Sequence, residues 1–136
     1  MIRRVLAGKS IPNINTLVDA YNLASIKSEV ALAAFDEDRL KGELTMRFAL
    51  EGEEFLGIGM SKPMKLTGGE VVISDSESLV ALYPHRDADY SKVTEETRNV
   101  LILVCGVPGI PLERLTLAKQ IAADYINRFC HGRIEV

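Results

Sequence analysis

Side chains that can do chemistry are concentrated in one polar segment, residues 85–97. Arg86 can hold a carboxylate or a phosphate through two parallel hydrogen bonds, and Asp87 or Asp89 can hold an amine. Binding residues often lie in segments of this kind, between strands. One interpretation is therefore a ligand-recognition loop. The alternative is a solvated loop followed by a short helix that Thr94 caps through its hydroxyl.

Other polar residues carry weaker signals. Asn22 lies in a predicted helix, where asparagine is a poor helix former, and it either orders the next loop or contacts a ligand. Arg47, on a predicted strand, is open to the same two interpretations. Cys105 and Cys130 have no CxxC spacing and are expected to be reduced thiols in the core. We expect no metal and no cofactor, since neither histidine has ligand spacing with a cysteine.

Length and composition predict one domain over residues 1–136. The chain is 47% hydrophobic and 26% charged, which is enough apolar material for a packed core. Its formal net charge of -3 means that binding to RNA would need a local basic patch. No apolar run approaches the ~20 residues of a membrane span. We therefore expect a cytoplasmic protein with no membrane partner.

The hydrophobic pattern predicts helices near the start of the chain. A short helix is predicted over residues 2–7. Asn15 or Thr16 is suited to cap a second helix, whose apolar stripe fades by Ser28. The stripe consists of Leu17, Ala20, Tyr21 and Ala24. A turn and a short extended piece over residues 30–35 are expected next.

The middle of the chain is predicted to be rich in strands. Residues 43–50 alternate, with Leu44, Met46 and Phe48 on one face. Two more strands are predicted over residues 71–75 and 78–83, with a turn between them. Residues 100–104 are fully apolar and rich in β-branched side chains, which favours a central strand buried on both faces.

The C-terminal region predicts an amphipathic helix. Pro111 suits its first turn, and apolar residues recur at three-to-four spacing from Leu112 to Phe129. Gly132 is a natural stop. The order helix, strands, helix predicts the α+β class: a β-sheet core of several strands flanked by helices, with a C-terminal amphipathic helix.

Four motifs follow one another in an order that is typical of a known family. They are residues 13–19 with Asn22, residues 34–36 with Asp38 and Leu40, residues 47–49 with Gly52 and Glu53, and residues 94–101. Together they resemble the central editing and tRNA-binding domain of the phenylalanyl-tRNA synthetase beta subunit, and more closely its free-standing relatives. Those relatives have further residues before the stretch that matches residues 3–6. The resemblance therefore implies a chain that is short at its N-terminus.

The same resemblance implies where a substrate would bind. In that family the domain hydrolyses tyrosine wrongly attached to the phenylalanine tRNA, and it uses a histidine and a glutamate. The matching positions here hold Ala33 and Leu103, an apolar pair that cannot hydrogen-bond a tyrosine hydroxyl or orient a water. Polar functions would then come from the 85–89 segment. The expected substrate-binding residues are Asn22, Ala33, Arg86, Asp87, Asp89 and Leu103.

Two function classes follow from this resemblance. The first is a stand-alone recognition domain for aminoacyl-tRNA or an amino acid, which in its enzymatic form is an ester hydrolase acting on mischarged aminoacyl-tRNA. The alternative is a non-catalytic module that binds an amino acid or a protein and has lost editing. No residue is assigned a catalytic role, and the sequence does not indicate the substrate amino acid or the oligomeric state.

Overall fold

A computed structural model describes residues 15–133, so the helix predicted over residues 2–7 lies outside the described part. Within this described part, two helices and eight strands follow the predicted order of helix, strands and helix, and the α+β class with a C-terminal helix is confirmed. The elements are α1 Thr16–Ser28, β1 Ala31–Asp36, β2 Thr45–Phe48, β3 Glu54–Phe55, β4 Met64–Lys65, β5 Val71–Ser74, β6 Leu79–Leu82, β7 Arg86–Asp87, β8 Val100–Cys105 and α2 Leu112–Cys130. A 3-10 turn over Glu37–Arg39 follows β1.

The described residues divide into two compact units. The helical unit comprises residues 15–34 and 102–133, and the sheet unit comprises Phe35–Leu101. The division falls inside β1 and inside β8. The expectation of a single domain over residues 1–136 stays a prediction.

Local hydrogen bonds define both ends of α1. The Asn15 side chain caps the first turn, because its Oδ1 accepts a bond of 2.9 Å from the Val18 amide. At the other end, Ser28 Oγ donates to the Ala24 carbonyl at 2.7 Å, and Ser25 Oγ donates to the Val30 carbonyl at 2.7 Å. The helix therefore begins at the predicted cap and ends where the apolar stripe fades.

The two helices of the helical unit pack against each other. Ala20 and Ala24 of α1 and Ala118 and Ala122 of α2 are all buried. Small side chains let helix backbones approach closely, which accounts for alanine at these positions. The predicted stripe of α2 is correct in its middle, but Leu112 at its start is 77% exposed.

Strand β8 corrects one prediction. It was expected to be a central strand buried on both faces. Among residues 15–133 it pairs only with β1, in a two-stranded sheet, and five of its six residues are only partly buried. The reason is that an apolar run without alternation indicates contact with other apolar groups, but it does not indicate how many strands lie beside it.

The sheet unit contains a four-stranded antiparallel sheet in the order β2-β5-β6-β7 and a β3–β4 hairpin. One face of the sheet supplies Val72 and Leu82 to the core. Phe55 of β3, Leu66 and Ala88 complete the same buried cluster. Because the core lies on this face, residues at alternate strand positions point to the opposite face.

Strand β2 occurs where it was predicted, but its apolar residues face outward. Met46 is 50% and Phe48 is 68% exposed. Arg47, between them, forms two parallel hydrogen bonds with the Glu53 carboxylate at 2.7 and 2.8 Å. It also donates to Ser74 Oγ at 3.2 Å. Arg47 is therefore a structural clamp that ties β2 to the turn before β3.

The clamp predicts an acid-sensitive contribution to stability. Hydrogen bonds from Arg47 and from the Leu50 amide lower the pKa of Glu53 from 4.5 to about 2. Because the pKa of Glu53 is lower in the folded state, its interaction with Arg47 contributes fully to stability above pH 4.5. This contribution is lost as the pH falls towards about 2. Glu53→Gln is expected to lower the free energy of unfolding by about 1–2 kcal/mol at neutral pH.

Urea unfolding of the wild type and of Glu53→Gln from neutral to acidic pH measures this effect. The difference between the two proteins should shrink on acidification. Glu51→Gln, at an exposed glutamate two residues earlier, is the control and should match the wild type. A difference that stays constant with pH would contradict the assignment.

Candidate functional site

The β6–β7 hairpin positions the polar segment singled out in the sequence. In the register of the two strands, Leu82 lies opposite Arg86 and Ala81 lies opposite Asp87. The turn between the strands is closed by a bond of 2.7 Å from the His85 amide to the Leu82 carbonyl. The backbone of Arg86 and Asp87 therefore belongs to a paired strand and not to an unpaired loop.

A second segment, residues 56–58, holds the hairpin from its other side. The Ile58 amide donates to the Asp87 carbonyl at 3.0 Å, and the Asp89 amide donates to the Leu56 carbonyl at 3.0 Å. Between them, Ala88 is 2% exposed and belongs to the core cluster. The backbone of residues 86–89 is therefore bonded along both edges and anchored by a buried side chain.

Arg86 lies over this second segment. A Cβ placed on Gly57 would lie 2.4 Å from Cδ of Arg86, so the absence of a side chain at Gly57 makes room for the arginine stem. The guanidinium donates to the Ile58 carbonyl at 3.3 Å and remains exposed. Arg86 thus covers the edge of the core and keeps donors available to solvent.

Asp87 points to the opposite face from Arg86, because the two are consecutive strand residues. It is partly buried, and burial raises the pKa of its carboxyl from 3.8 to about 6. Among residues 15–133, no side chain or amide forms a hydrogen bond or an ion pair with this carboxylate. The structure therefore holds a partly buried carboxylate with no compensating partner in the described chain.

Asp89, unlike Asp87, has a charged partner. Its carboxylate pairs with the Lys92 ammonium at 2.6 Å. The charge of Asp89 is thus compensated within the chain, and the same lysine is engaged by Asp89 and not by Asp87. Of the two aspartates that could hold an amine, Asp87 is the one left available.

The remaining predicted site residues lie in the helical unit. Asn22 is on α1, Ala33 is on β1 and Leu103 is on β8, and all three are partly buried. Ala33 and Leu103 are thus on paired strands, whereas Arg86, Asp87 and Asp89 belong to the sheet unit. Within residues 15–133 the Asn22 side chain makes no hydrogen bond, so Ser25 and Ser28, and not Asn22, order the loop after α1.

The predicted helix after Thr94 is wrong. Thr94 Oγ1 accepts from the Glu96 amide at 3.3 Å, which matches the expected capping contact, but the chain forms a turn. The Thr97 hydroxyl accepts from the Thr94 amide at 2.9 Å and donates to Asp36 at 2.8 Å. Asn99 similarly donates to Asp38 at 3.1 Å. These contacts join two of the sequence motifs and stop the turn from continuing as a helix.

Sequence reasoning missed the contact that holds the middle of the polar segment. The Tyr90 hydroxyl donates to the Asp75 carboxylate at 2.5 Å. Burial and this hydrogen bond raise the pKa of Tyr90. Asp75 appeared in the sequence only as part of a turn, and no local pattern connects it with a tyrosine fifteen residues later.

The described residues show no metal or membrane-spanning feature. In the range 15–133, no three His, Cys, Asp or Glu side chains are grouped so that they could hold a metal ion. Over the same range, no helix combines the length and the apolar character needed to cross a bilayer.

Comparison with known proteins identifies the family of this chain. Residues 1–133 match the profile of the B3/4 domain, and the chain belongs to this family. It is 30% identical over 130 residues to the phenylalanine–tRNA ligase beta subunit of Thermotoga maritima, covering 96% of this chain and 16% of the relative. It is 34% identical over 101 residues to the same subunit of Yersinia pestis, covering 74% of this chain and 13% of the relative. The chain thus spans about a sixth or less of these relatives.

A solved structure shares the fold. It is an N-terminal fragment of the phenylalanyl-tRNA synthetase beta subunit from Pyrococcus horikoshii, with a TM-score of 0.70 and 20% identity. The match covers 84% of this chain and 40% of the fragment. The resemblance inferred from the motifs is therefore confirmed as far as the B3/4 domain of this ligase subunit.

The raised pKa of Asp87 predicts that ionisation of this carboxyl destabilises the protein, whereas ionisation of Glu53 stabilises it. Since its folded-state pKa is raised, ionisation of Asp87 lowers stability as the pH rises from 3.8 to about 6, and the loss is complete above that. Asp87→Asn is therefore expected to raise the free energy of unfolding by roughly 3 kcal/mol at neutral pH. The gain should vanish below pH 3.8.

Thermal unfolding of Asp87→Asn and Asp89→Asn across this pH range provides the measurement. Asp89→Asn is the matched control because Asp89 is already paired with Lys92, and it should give no gain. If Asp87→Asn lowers the melting temperature at neutral pH, the carboxylate has a partner and the assignment is wrong.

Proposed function

We propose that this chain is a recognition domain for the aminoacyl group of aminoacyl-tRNA, or of a related amino-acid ester. One observation carries the proposal: Asp87 is a partly buried carboxylate with a raised pKa of about 6 and no partner among residues 15–133. A ligand ammonium beside Asp87 would compensate this charge, whereas an uncharged amide in the same place would not.

The positions of the charged residues favour an ester over a free amino acid. Arg86 and Asp87 point to opposite faces of β7, so one small zwitterion cannot bind both of them. A free carboxylate near Asp87 would also be repelled by the aspartate. An amino acid whose carboxyl group is esterified to tRNA presents the ammonium without this repulsion. Membership of the B3/4 family supports the same ligand class, because the matched relatives are subunits of phenylalanine–tRNA ligase.

Ester hydrolysis is a second candidate function, and the raised pKa of Asp87 favours it. A general base works best when its pKa lies near the operating pH, and a value of about 6 meets this condition. In that role Asp87 accepts a proton from the attacking water and does not hold the substrate ammonium, so the two roles of this carboxylate are alternatives. Ala33 and Leu103, at the positions where the family carries its histidine and glutamate, offer no such group, so this activity would not follow the family's chemistry.

A non-catalytic binding module remains the alternative class. It would use the same carboxylate for the amine and would release the aminoacyl group unchanged. An amino acid, aminoacyl-tRNA or a component of the ligase complex is the proposed partner. Measuring turnover of the aminoacyl ester separates this class from the hydrolase, whereas measuring affinity does not.

Binding is tested by calorimetry with a panel of amino-acid amides, the matching N-acetyl amides and the free amino acids. The amides keep the ammonium and lack the carboxylate, so at least one is expected to bind. Its N-acetyl form should not bind, and the free amino acid should bind about tenfold or more weakly, a difference of roughly 1.4 kcal/mol. Asp87→Asn should abolish binding, whereas Asp89→Asn should retain it. Equal affinity for an amide and its N-acetyl form would overturn the proposal.

Hydrolysis is tested separately with tRNAs charged with tyrosine or with other amino acids. The hydrolase hypothesis predicts faster loss of the aminoacyl group with the wild type than with Asp87→Asn. If amides bind through Asp87 and no charged tRNA is deacylated, the chain is a binding module and the hydrolase hypothesis is wrong.

A further inference from the structure

The segment 56–58 determines which side chain lies beside Asp87. Gly57 pairs with Ala88 in an antiparallel bridge, so the next pair in this register is Ile58 opposite Asp87. The bond of 3.0 Å from the Ile58 amide to the Asp87 carbonyl joins this pair. Residues directly opposite each other in antiparallel strands project to the same face, with Cβ atoms about 5 Å apart. The Ile58 side chain therefore lies on the face to which Asp87 points.

The other face of the segment gives the same assignment. A Cβ on Gly57 would meet the side chains of Arg86 and Met60, and Met60 packs against the buried core cluster. Gly57 thus points to the core face, together with Arg86 and Ala88. Ile58 is the next residue along this extended segment, so its side chain points away from the core.

Leu56 extends the apolar surface that Ile58 begins. It lies two residues before Ile58, on the same face, and its carbonyl accepts a bond of 3.0 Å from the amide of Asp89. Leu56 and Ile58 are 40% and 43% exposed, and together they form what we call the apolar wall. Asp89 is paired with Lys92, whereas no cation among residues 15–133 pairs with Asp87. The apolar wall therefore lies beside the carboxylate to which the ligand ammonium is assigned.

The backbone of the apolar wall already has hydrogen-bond partners. The Ile58 amide is bonded to Asp87, and the Ile58 carbonyl accepts from the Arg86 guanidinium at 3.3 Å. The Leu56 carbonyl is bonded to Asp89. A polar ligand side chain against the wall would lose hydrogen bonds to water and would meet groups that are already engaged, which costs free energy. An apolar side chain in the same place gains free energy by leaving water.

We propose that Ile58 and Leu56 select the side chain of the amino-acid derivative whose ammonium binds Asp87. The inference rests on the proposed function, because it needs the ammonium at that carboxylate. In an amino acid, the α-ammonium and the side chain are attached to the same carbon atom. A ligand anchored at Asp87 therefore brings its side chain within reach of Ile58. The ligand class is an aminoacyl group with an apolar side chain, and the apolar wall is its specificity determinant.

Calorimetry with amino-acid amides of nearly equal shape tests this selection. Valinamide and threoninamide form one pair, and leucinamide and asparaginamide form the other. The wild type should bind the apolar member of each pair about tenfold more tightly than the polar member. Glycinamide has no side chain, so it should bind through its ammonium alone and more weakly than leucinamide.

Substitutions in the apolar wall assign the preference to these two residues. Ile58→Thr keeps the branching at Cβ and adds a hydroxyl, so the ratio of valinamide to threoninamide affinity should fall towards one. Leu56→Asn should lower the ratio of leucinamide to asparaginamide affinity in the same way. Both variants should keep the glycinamide affinity of the wild type, which shows that they fold and hold the ammonium.

Met64→Thr is the matched control for these variants. Met64 is 40% exposed, and it lies opposite Phe55 in the β3–β4 pair. Because Phe55 belongs to the core cluster, Met64 is on the face opposite the apolar wall. The control should keep both affinity ratios of the wild type.

The outcomes separate this inference from the proposed function. If amides bind but Ile58→Thr and Leu56→Asn keep the wild-type ratios, selection by the apolar wall is wrong and the ammonium site stands. A loss of glycinamide affinity in both variants would also contradict selection, because the wall would then act on the ammonium itself. If the wild type binds no amide, the proposed function fails and this inference fails with it.

Discussion

The sheet unit depends on one carboxylate, that of Asp75. It accepts hydrogen bonds from the Lys41, Glu77 and Ser78 amides at 2.8–2.9 Å and from the Tyr90 hydroxyl at 2.5 Å. Burial by itself raises the pKa of Asp75, but these hydrogen bonds outweigh it and leave the pKa below its usual value. One ionised group therefore joins the β5–β6 turn, the chain before β2 and the middle of the polar segment. This network fixes the residues on either side of the candidate site.

The candidate site is defined by the contrast between the Asp87 carboxylate and three other carboxylates of the chain. Glu53 is held by Arg47, Asp89 by Lys92, and Asp36 by Thr97. Asp87 lies on an equally ordered strand, yet the described chain supplies it with no cation and no donor. This contrast supports the proposal that a positively charged ligand binds at Asp87.

The sequence predicted the features that depend on neighbouring residues. The Asn15 cap, the α1 stripe and the strands around the 75–78 turn follow from local spacing, and they are found where expected. The features that failed depend on distant partners. The Thr94 helix does not form because Thr97 bonds to Asp36, 61 residues earlier, and the burial of β8 depends on which strands pair with it. Arg86, Asp87 and Asp89 stay predicted binding residues. Their surroundings differ because Gly57, 29 residues before Arg86, makes room for the arginine stem, and because Lys92 pairs with Asp89.

The central claim is that the Asp87 carboxylate accepts a ligand ammonium, and its own titration tests this most directly. The side-chain carboxyl carbon of Asp87 can be followed by NMR as the pH is varied, with and without a saturating amino-acid amide. The account predicts a pKa of about 6 for the free protein and a fall of about one unit or more when the amide is bound. A pKa that does not fall in the presence of the bound amide would contradict it.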